Sequence, residues 1–131
     1  MFWGKTQYAL DIRAGQCFVG NKVILWEWDK NYNGQQWKMK NGRIESVKCP
    51  GMYIEYKGNG QNNAVAVLGN GSKNPGWTWK LASNNWWHVL NKYGKVLDIG
   101  ESKAKNGATI YLYTKNGGGQ SALEYAKCIV K

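Results

Sequence analysis

The chain is poor in the residues that do chemistry. It has one histidine, His88, set in Trp86-Trp87-His88-Val89, where a half-buried strand residue is the plainer reading than a catalytic base. With His88 read that way no histidine is left to serve a Ser-His-Asp triad, and a zinc site built on two or more histidines cannot be assembled. Its three cysteines, Cys17, Cys49 and Cys128, are odd in number and form no phased pair. Free thiols in a reducing compartment are the expectation, with one disulfide and a spare thiol as the alternative. The eight carboxylates are scattered, so no glycosidase pair follows from spacing. Gly69-Asn70-Gly71-Ser72-Lys73 has glycines and a lysine in the wrong order for a phosphate loop, and no helix follows. Together these absences exclude an evident enzyme and leave no cofactor or metal to expect.

Arginine is nearly as scarce. The net charge of +10 comes from 16 lysines and two arginines, spread from Lys5 to Lys131 without a dense cluster. Arginine is the residue suited to bidentate reading of phosphates and bases, so specific nucleic-acid recognition is not expected. Diffuse lysine biases the surface toward anionic partners at low salt. No stretch of about twenty apolar residues is present, so membrane insertion is not expected. The opening Met1-Phe2-Trp3-Gly4-Lys5 lacks the apolar run of a secretory leader, which makes the expectation cytoplasmic, with non-classical release as the route outward. Asn70-Gly71-Ser72 matches a glycosylation acceptor and reads as a turn.

What the chain does have is tryptophan and repetition. Eight Trp in 131 residues is a heavy load for one domain, and most are expected in its core. Gly34-Gln35-Gln36-Trp37-Lys38-Met39 returns as Gly76-Trp77-Thr78-Trp79-Lys80-Leu81, and more faintly as Gln120-Ser121-Ala122-Leu123-Glu124-Tyr125. In step with it, Ala9-Leu10-Asp11-Ile12 returns as Tyr53-Ile54-Glu55-Tyr56 and as Val96-Leu97-Asp98-Ile99. Two markers repeating in phase divide residues 1–131, one domain, into units of approximately 2–50, 51–92 and 93–131. No window shows a sustained helical period. Short apolar or alternating runs such as Val23-Ile24-Leu25-Trp26, Ala64-Val65-Ala66-Val67-Leu68 and Thr109-Ile110-Tyr111-Leu112-Tyr113 are separated by turn signals such as Gly20-Asn21, Asn41-Gly42 and Asn106-Gly107. About four strands per unit follow. One such unit cannot bury its apolar face alone, so three must share one core in a pseudo-threefold, all-β barrel.

A unit of Leu-Asp, then Gly-Asn or Asn-Gly, then an apolar run ending in an aromatic, then Gln-x-Trp resembles the repeat of the ricin B-type lectins, which are β-trefoils. The first unit carries it as Leu10-Asp11, Gly20-Asn21, Val23 to Trp26 and Gln35-Gln36-Trp37; the third as Leu97-Asp98, Asn106-Gly107, Ile110 to Tyr113 and Gln120. The resemblance spans nearly the entire chain. It implies a shallow sugar site in a repeat, where an Asp accepts hydrogen bonds from sugar hydroxyls and a flat ring supports the apolar face of the pyranose. The residues it points to are Asp11, Trp26, Asn33 and Gln35 in the first unit, and Asp98, Tyr113, Asn116 and Gln120 in the third. Asp and aromatic stand fifteen residues apart in both. Gly34 holds the place of the family's Asn, so Asn33 or Asn31 would substitute for it. Gln35 reads as a brace for the carboxylate as readily as a ligand, and Trp28 and Tyr32 lie beside the first site. Asp11 and Asp98 also admit a plain reading as turn residues with local hydrogen bonds, and Trp26 and Tyr113 as packed strand ends.

The second unit departs furthest, with Glu55 for Asp, Leu68 for the aromatic and Trp77 for Gln, and is expected not to bind, the alternative being that Trp77 acts as a ring platform of its own; Trp79 is aligned with Trp37 as core. The resemblance implies a lectin for galactose or N-acetylgalactosamine-type glycans, a hemagglutinin with one to two working sites, acting through paired sites or a homodimer on clustered glycans. Two rival readings are a trefoil protease inhibitor acting through a loop, and a basic adaptor for anionic glycans or nucleic acid.

Overall fold

The structure is a computed structural model that describes residues 8–58, 61, 63–73, 76–81, 87–90, 95–99, 105–114, 126–127 and 129–130. Among them twelve strands follow one another, four to each unit. The first unit contains β1 (Tyr8–Ile12), β2 (Val23–Glu27), β3 (Gln36–Lys40) and β4 (Arg43–Ser46). The second contains β5 (Tyr53–Tyr56), β6 (Ala66–Gly69), β7 (Thr78–Leu81) and β8 (Trp87–Leu90). The third contains β9 (Lys95–Ile99), β10 (Ile110–Thr114), β11 (Ala126–Lys127) and β12 (Ile129–Val130). The helical turns among the described residues are two 3-10 turns, Arg13–Gly15 and Asn33–Gln35.

The strand periodicity explains the core. In β1 and β2 the residues facing inward are Leu10, Ile12, Val23 and Leu25; Ile54, Leu68, Leu97, Ile110 and Leu112 repeat the pattern in the other units, and all are buried. The first two strands of every unit pair antiparallel with matching register: Leu10 faces Leu25, Ile54 faces Leu68 and Leu97 faces Leu112. The third unit closes back on the first, β11 beside β1 and β12 beside β3.

Threefold order also appears in how the units grip one another. Leu68 exchanges backbone hydrogen bonds with Gly20 and Asn21, Leu112 with Asn63 and Ala64, and Leu25 with Gly107 and Ala108. Each unit's turn thus clasps the second strand of another, and the three clasps run head to tail around the axis. Gly20, Asn63 and Gly107 all have left-handed φ, of 94°, 68° and 85°. Gly and Asn tolerate that conformation best, which is why turn signals recur there.

The structure corrects the alignment of the second unit. β4 meets β5 at Glu45 and Tyr53, and Glu45 pairs with Lys38; β8 meets β9 at Leu90 and Val96, and Leu90 pairs with Thr78. Lys38 therefore corresponds to Thr78, and Trp37 to Trp77, not to Trp79. Both indoles are fully buried, and each donates Nε1–H over 3.1 Å to a strand carbonyl at the same place, Trp37 to Leu10 and Trp77 to Ile54. Trp77 is a core residue rather than a ring platform for sugar. The hairpin of the second unit is the longer one, thirteen residues (78–90) against eight (38–45), and this insertion produces the misalignment.

The free-thiol expectation also fails for two of the cysteines. Cys17 and Cys49 form a disulfide across 32 residues, with their Cα atoms 5.7 Å apart. It ties the loop after the first 3-10 turn to the turn between β4 and β5. Cys128 lies outside the described residues.

Candidate functional site

The first unit builds a cavity on its outer face. With Leu10, Ile12, Val23 and Leu25 turned inward, strand alternation turns Asp11, Lys22, Ile24 and Trp26 outward. Asp11 stands directly opposite Ile24, and Trp26 is two residues further along β2. Asp11 is only 6% exposed whereas Trp26 is 45% exposed, so a recessed acceptor lies beside an accessible ring.

Gln35 fixes that acceptor. Its Nε2 donates to Asp11 Oδ2 at 3.2 Å and to the Glu27 carbonyl at 2.8 Å, while its Oε1 accepts the Asp29 amide at 2.8 Å. The other Asp11 oxygen, Oδ1, accepts the Ile12 amide at 2.7 Å. A carboxylate has about four acceptor sites, so each oxygen keeps capacity for a hydroxyl donor. Burial raises the Asp11 pKa; the hydrogen bonds from Gln35 and the Ile12 amide and the charge of Lys48 oppose that rise without cancelling it. Gln35, itself buried and with every polar atom of its amide engaged, positions the carboxylate rather than facing the cavity.

The cavity has a volume of about 630 Å3 and is open to solvent; besides Asp11, Ile24 and Trp26, its walls include Arg13, Lys22, Tyr32 and, from the third unit, Gly107 and Thr109. That third-unit wall is set by pairing across the units. Ile24 bridges Thr109, and the Glu27 amide donates to Asn106 Oδ1 at 2.8 Å. Gly107 lies beside the Trp26 ring.

Asn33, one of the sequence candidates, is exposed in the 3-10 turn and is not among the residues lining this cavity. Tyr32 takes the adjacent wall instead. Its ring packs against Gly34 so closely that any side chain there would collide with it, and its hydroxyl covers Gly15. The Lys48 ammonium lies over the Tyr32 ring, 5.2 Å from its centroid. Gly34 therefore stands where the resemblance leads one to expect Asn because the Tyr32 ring occupies the space.

In the third unit, Asp98 faces Tyr111 across β9 and β10, and Tyr113 is two residues beyond, the same register as Asp11, Ile24 and Trp26. The backbone of the first site is thus repeated. Asn116 and Gln120 lie outside the described residues.

The second unit shows why equivalence of backbone does not give equivalence of site. Glu55 faces Val67, which puts Gly69, and not Leu68, at the position of Trp26. Leu68 corresponds to Leu25 in the core. The Glu55 carboxylate lies over Gly69, filling the place where a ring would stand, and its Oε2 accepts the Gly71 amide at 2.7 Å. Arg43 closes the far side, donating to the Gly71 carbonyl at 3.2 Å and lying over the Tyr53 ring at 5.7 Å to the centroid. Glu55 is buried within its own unit, 4% exposed.

Sequence reasoning missed Arg13, Lys22, Gly107 and Thr109. Arg13 and Lys22 fall between the repeated markers, and Gly107 and Thr109 come from another unit, so no spacing within the first unit could find them. Among the described residues no group of three or more His, Cys, Asp or Glu is placed to hold a metal ion, and no helix is long and apolar enough to cross a membrane.

No protein-family model matches the sequence, and no curated protein does. Solved structures match well. The designed threefold symmetric protein ThreeFoil superposes with a TM-score of 0.74 at 19% identity, covering 87% of this chain and 86% of that one. The Rhizoctonia solani agglutinin gives 0.73 at 18% identity, covering 100% and 97%. The C-half of an earthworm R-type lectin, solved in complex with GalNAc, gives 0.63 at 24% identity, covering 86% and 83%. At identities this low the superpositions establish the fold alone: the chain is a β-trefoil.

Proposed function

We propose that this protein is a carbohydrate-binding lectin that recognises galactose- or N-acetylgalactosamine-type ends of glycans and carries out no reaction on them. The observation that carries the reading is the first-unit arrangement: a recessed Asp11 carboxylate held by Gln35, beside the exposed ring of Trp26, in an open cavity. A sugar hydroxyl loses strong hydrogen bonds to water on binding, and a fixed carboxylate that accepts from two neighbouring hydroxyls restores them. The ring covers the C–H face that polar groups cannot serve. The complex of the earthworm lectin with GalNAc favours this sugar class, and the repeated register of Asp98 and Tyr113 supports a second site in the third unit.

One shallow site per sugar gives millimolar affinity, about −4 kcal/mol. Function then depends on two sites, or on a dimer, engaging clustered glycans on glycoproteins or glycolipids. The Cys17–Cys49 bond persists in an oxidising compartment, so the proposed place of action is outside the cytoplasm, after release. The test is a glycan array at physiological salt, with free galactose and N-acetylgalactosamine as competitors. Retention of neutral galactosides, lost in the Asp11→Ala variant while its circular dichroism stays native, is the expected result. Retention unchanged by that substitution, or no retention of any neutral glycan, sinks the reading.

A further inference from the structure

The outer face of the first unit has a direction. Lys22, Ile24 and Trp26 alternate along one side of the chain entering and running through β2, with Asp11 opposite Ile24. At roughly 7 Å per two strand residues, the ring, the carboxylate and the Lys22 side chain follow one another in a line about 14 Å long. Arg13 lies beside Lys22, its amide donating to the Lys22 carbonyl at 3.1 Å, and both residues line the cavity. The carboxylates Glu27 and Asp29 come after Trp26, at the opposite end of the line. Among the described residues, neither Arg13 nor Lys22 is held in an ion pair. The loop that carries them is nonetheless well fixed. Asn21 Nδ2 donates to the carbonyls of Arg13 at 2.9 Å and Gln16 at 2.8 Å, and the Cys17–Cys49 disulfide anchors the same segment. Two cationic residues on a fixed backbone, at one end of a cavity with a recessed carboxylate in its middle, are a local concentration of charge rather than a diffuse one.

Resting on the lectin reading, we propose that the first-unit site takes a glycan end bearing an anionic group, a sulfate ester or a carboxylate, with the anion held by Lys22 and Arg13 while the pyranose lies on Trp26 and its hydroxyls reach Asp11. Charge-assisted hydrogen bonds are about twice as strong as neutral ones and are shared here between two donors of different shape. The segment between Asp11 and Lys22, about 7 Å, matches a substituent on the same sugar or on its neighbour rather than a distant charge.

Titration calorimetry of the full chain with lactose, 3′-sulfated lactose and 3′-sialyllactose at 50 mM and 300 mM salt tests this. At least one acidic probe should bind about tenfold more tightly than lactose at low salt, with the ratio shrinking at high salt. Whichever acidic probe shows the gain identifies the source of the anion. In Arg13→Gln/Lys22→Gln the ratio of acidic to neutral affinity should fall close to one. In Lys38→Gln/Lys57→Gln, which removes the same charge from exposed positions away from the cavity, it should stay. Lactose held through Asp11 with neither acidic probe any tighter would overturn this inference and leave the lectin reading standing. No binding of lactose or either acidic probe would overturn both. A preference that survives Arg13→Gln/Lys22→Gln but vanishes in Lys38→Gln/Lys57→Gln would assign the effect to net charge and overturn the site.

Discussion

Burial holds the Asp11 carboxyl above the usual carboxylate range, against its hydrogen bonds from Gln35 and the Ile12 amide and the charge of Lys48. As the proposed sugar acceptor the group works best ionised, so stability and the proposed binding should respond to pH in opposite directions. Because the folded pKa is raised, the Asp11 contribution to stability is fully present below about 3.8 and is lost as pH rises through the folded value. Sugar binding through Asp11, if the proposed function holds, should rise over that window. Denaturant midpoints of the native protein and Asp11→Ala, measured from pH 3 to pH 7, should show native stability falling relative to the variant as pH increases; a constant or reversed difference would mean that burial is not the controlling cause. Gln35 is the partner to test alongside. Gln35→Ala leaves the Asp29 amide without its acceptor and Asp11 with one partner fewer, which should cost about 1–3 kcal/mol in stability. Its effect on sugar affinity should follow from a loosened carboxylate, and a calorimetric affinity unchanged in this variant would remove Gln35 from the site.

At the scale of elements, the two buried indoles define what a repeat is. Trp37 and Trp77 each seal a unit by bonding the carbonyl just before its acidic residue. Trp77→Ala should cost about 3–5 kcal/mol, seen as a lowered urea midpoint; a loss below 1 kcal/mol would contradict its place in the core. The sequence hides this because Gly76-Trp77-Thr78-Trp79-Lys80 offers two tryptophans, and Trp79-Lys80 matches Trp37-Lys38 better. Only the pairing of β7 with β8 and of β8 with β9 shows that the extra residues sit in the hairpin. Gly69 was hidden for a similar reason. An apolar run suggests that its last large residue is the marker, yet Leu68 faces the core and the outward position falls on glycine. One disulfide stood as an alternative, but its partners were unreadable because Cys17 and Cys49 occupy unrelated positions in a single unit and meet only through the turn between β4 and β5. Closing a loop of this length should be worth about 3–4 kcal/mol by the chain-entropy account. Cys17→Ser/Cys49→Ser should lower the unfolding free energy by that order, and equal stability with the native protein under non-reducing conditions would show that the bond does not stabilise the fold.

Over the molecule, threefold symmetry was legible because its markers are core residues: Leu10, Ile54 and Leu97 must all fill the same kind of space, and the glycine or asparagine of each clasp must all adopt left-handed φ. Function was less legible because the outer face is under no such common constraint. The same backbone carries an exposed ring at Trp26 and a carboxylate folded over Gly69, and the walls of the first cavity come partly from another unit. Symmetry therefore predicts three places for a site, and in the second unit the Glu55 carboxylate fills the place where a ring would stand. Titration with a galactoside should give two sites per chain if Asp98 and Tyr113 work as their register suggests, and Asp98→Ala should reduce the count to one without changing the affinity of the site that remains. Agglutination by the monomer should respond far more steeply than the site count, since losing one of two linked sites removes the effective-concentration gain of 10²–10⁴. If Asp98→Ala agglutinates as well as the native protein, while Asp11→Ala does not, the valency comes from a dimer of first-unit sites and the third unit is scaffold.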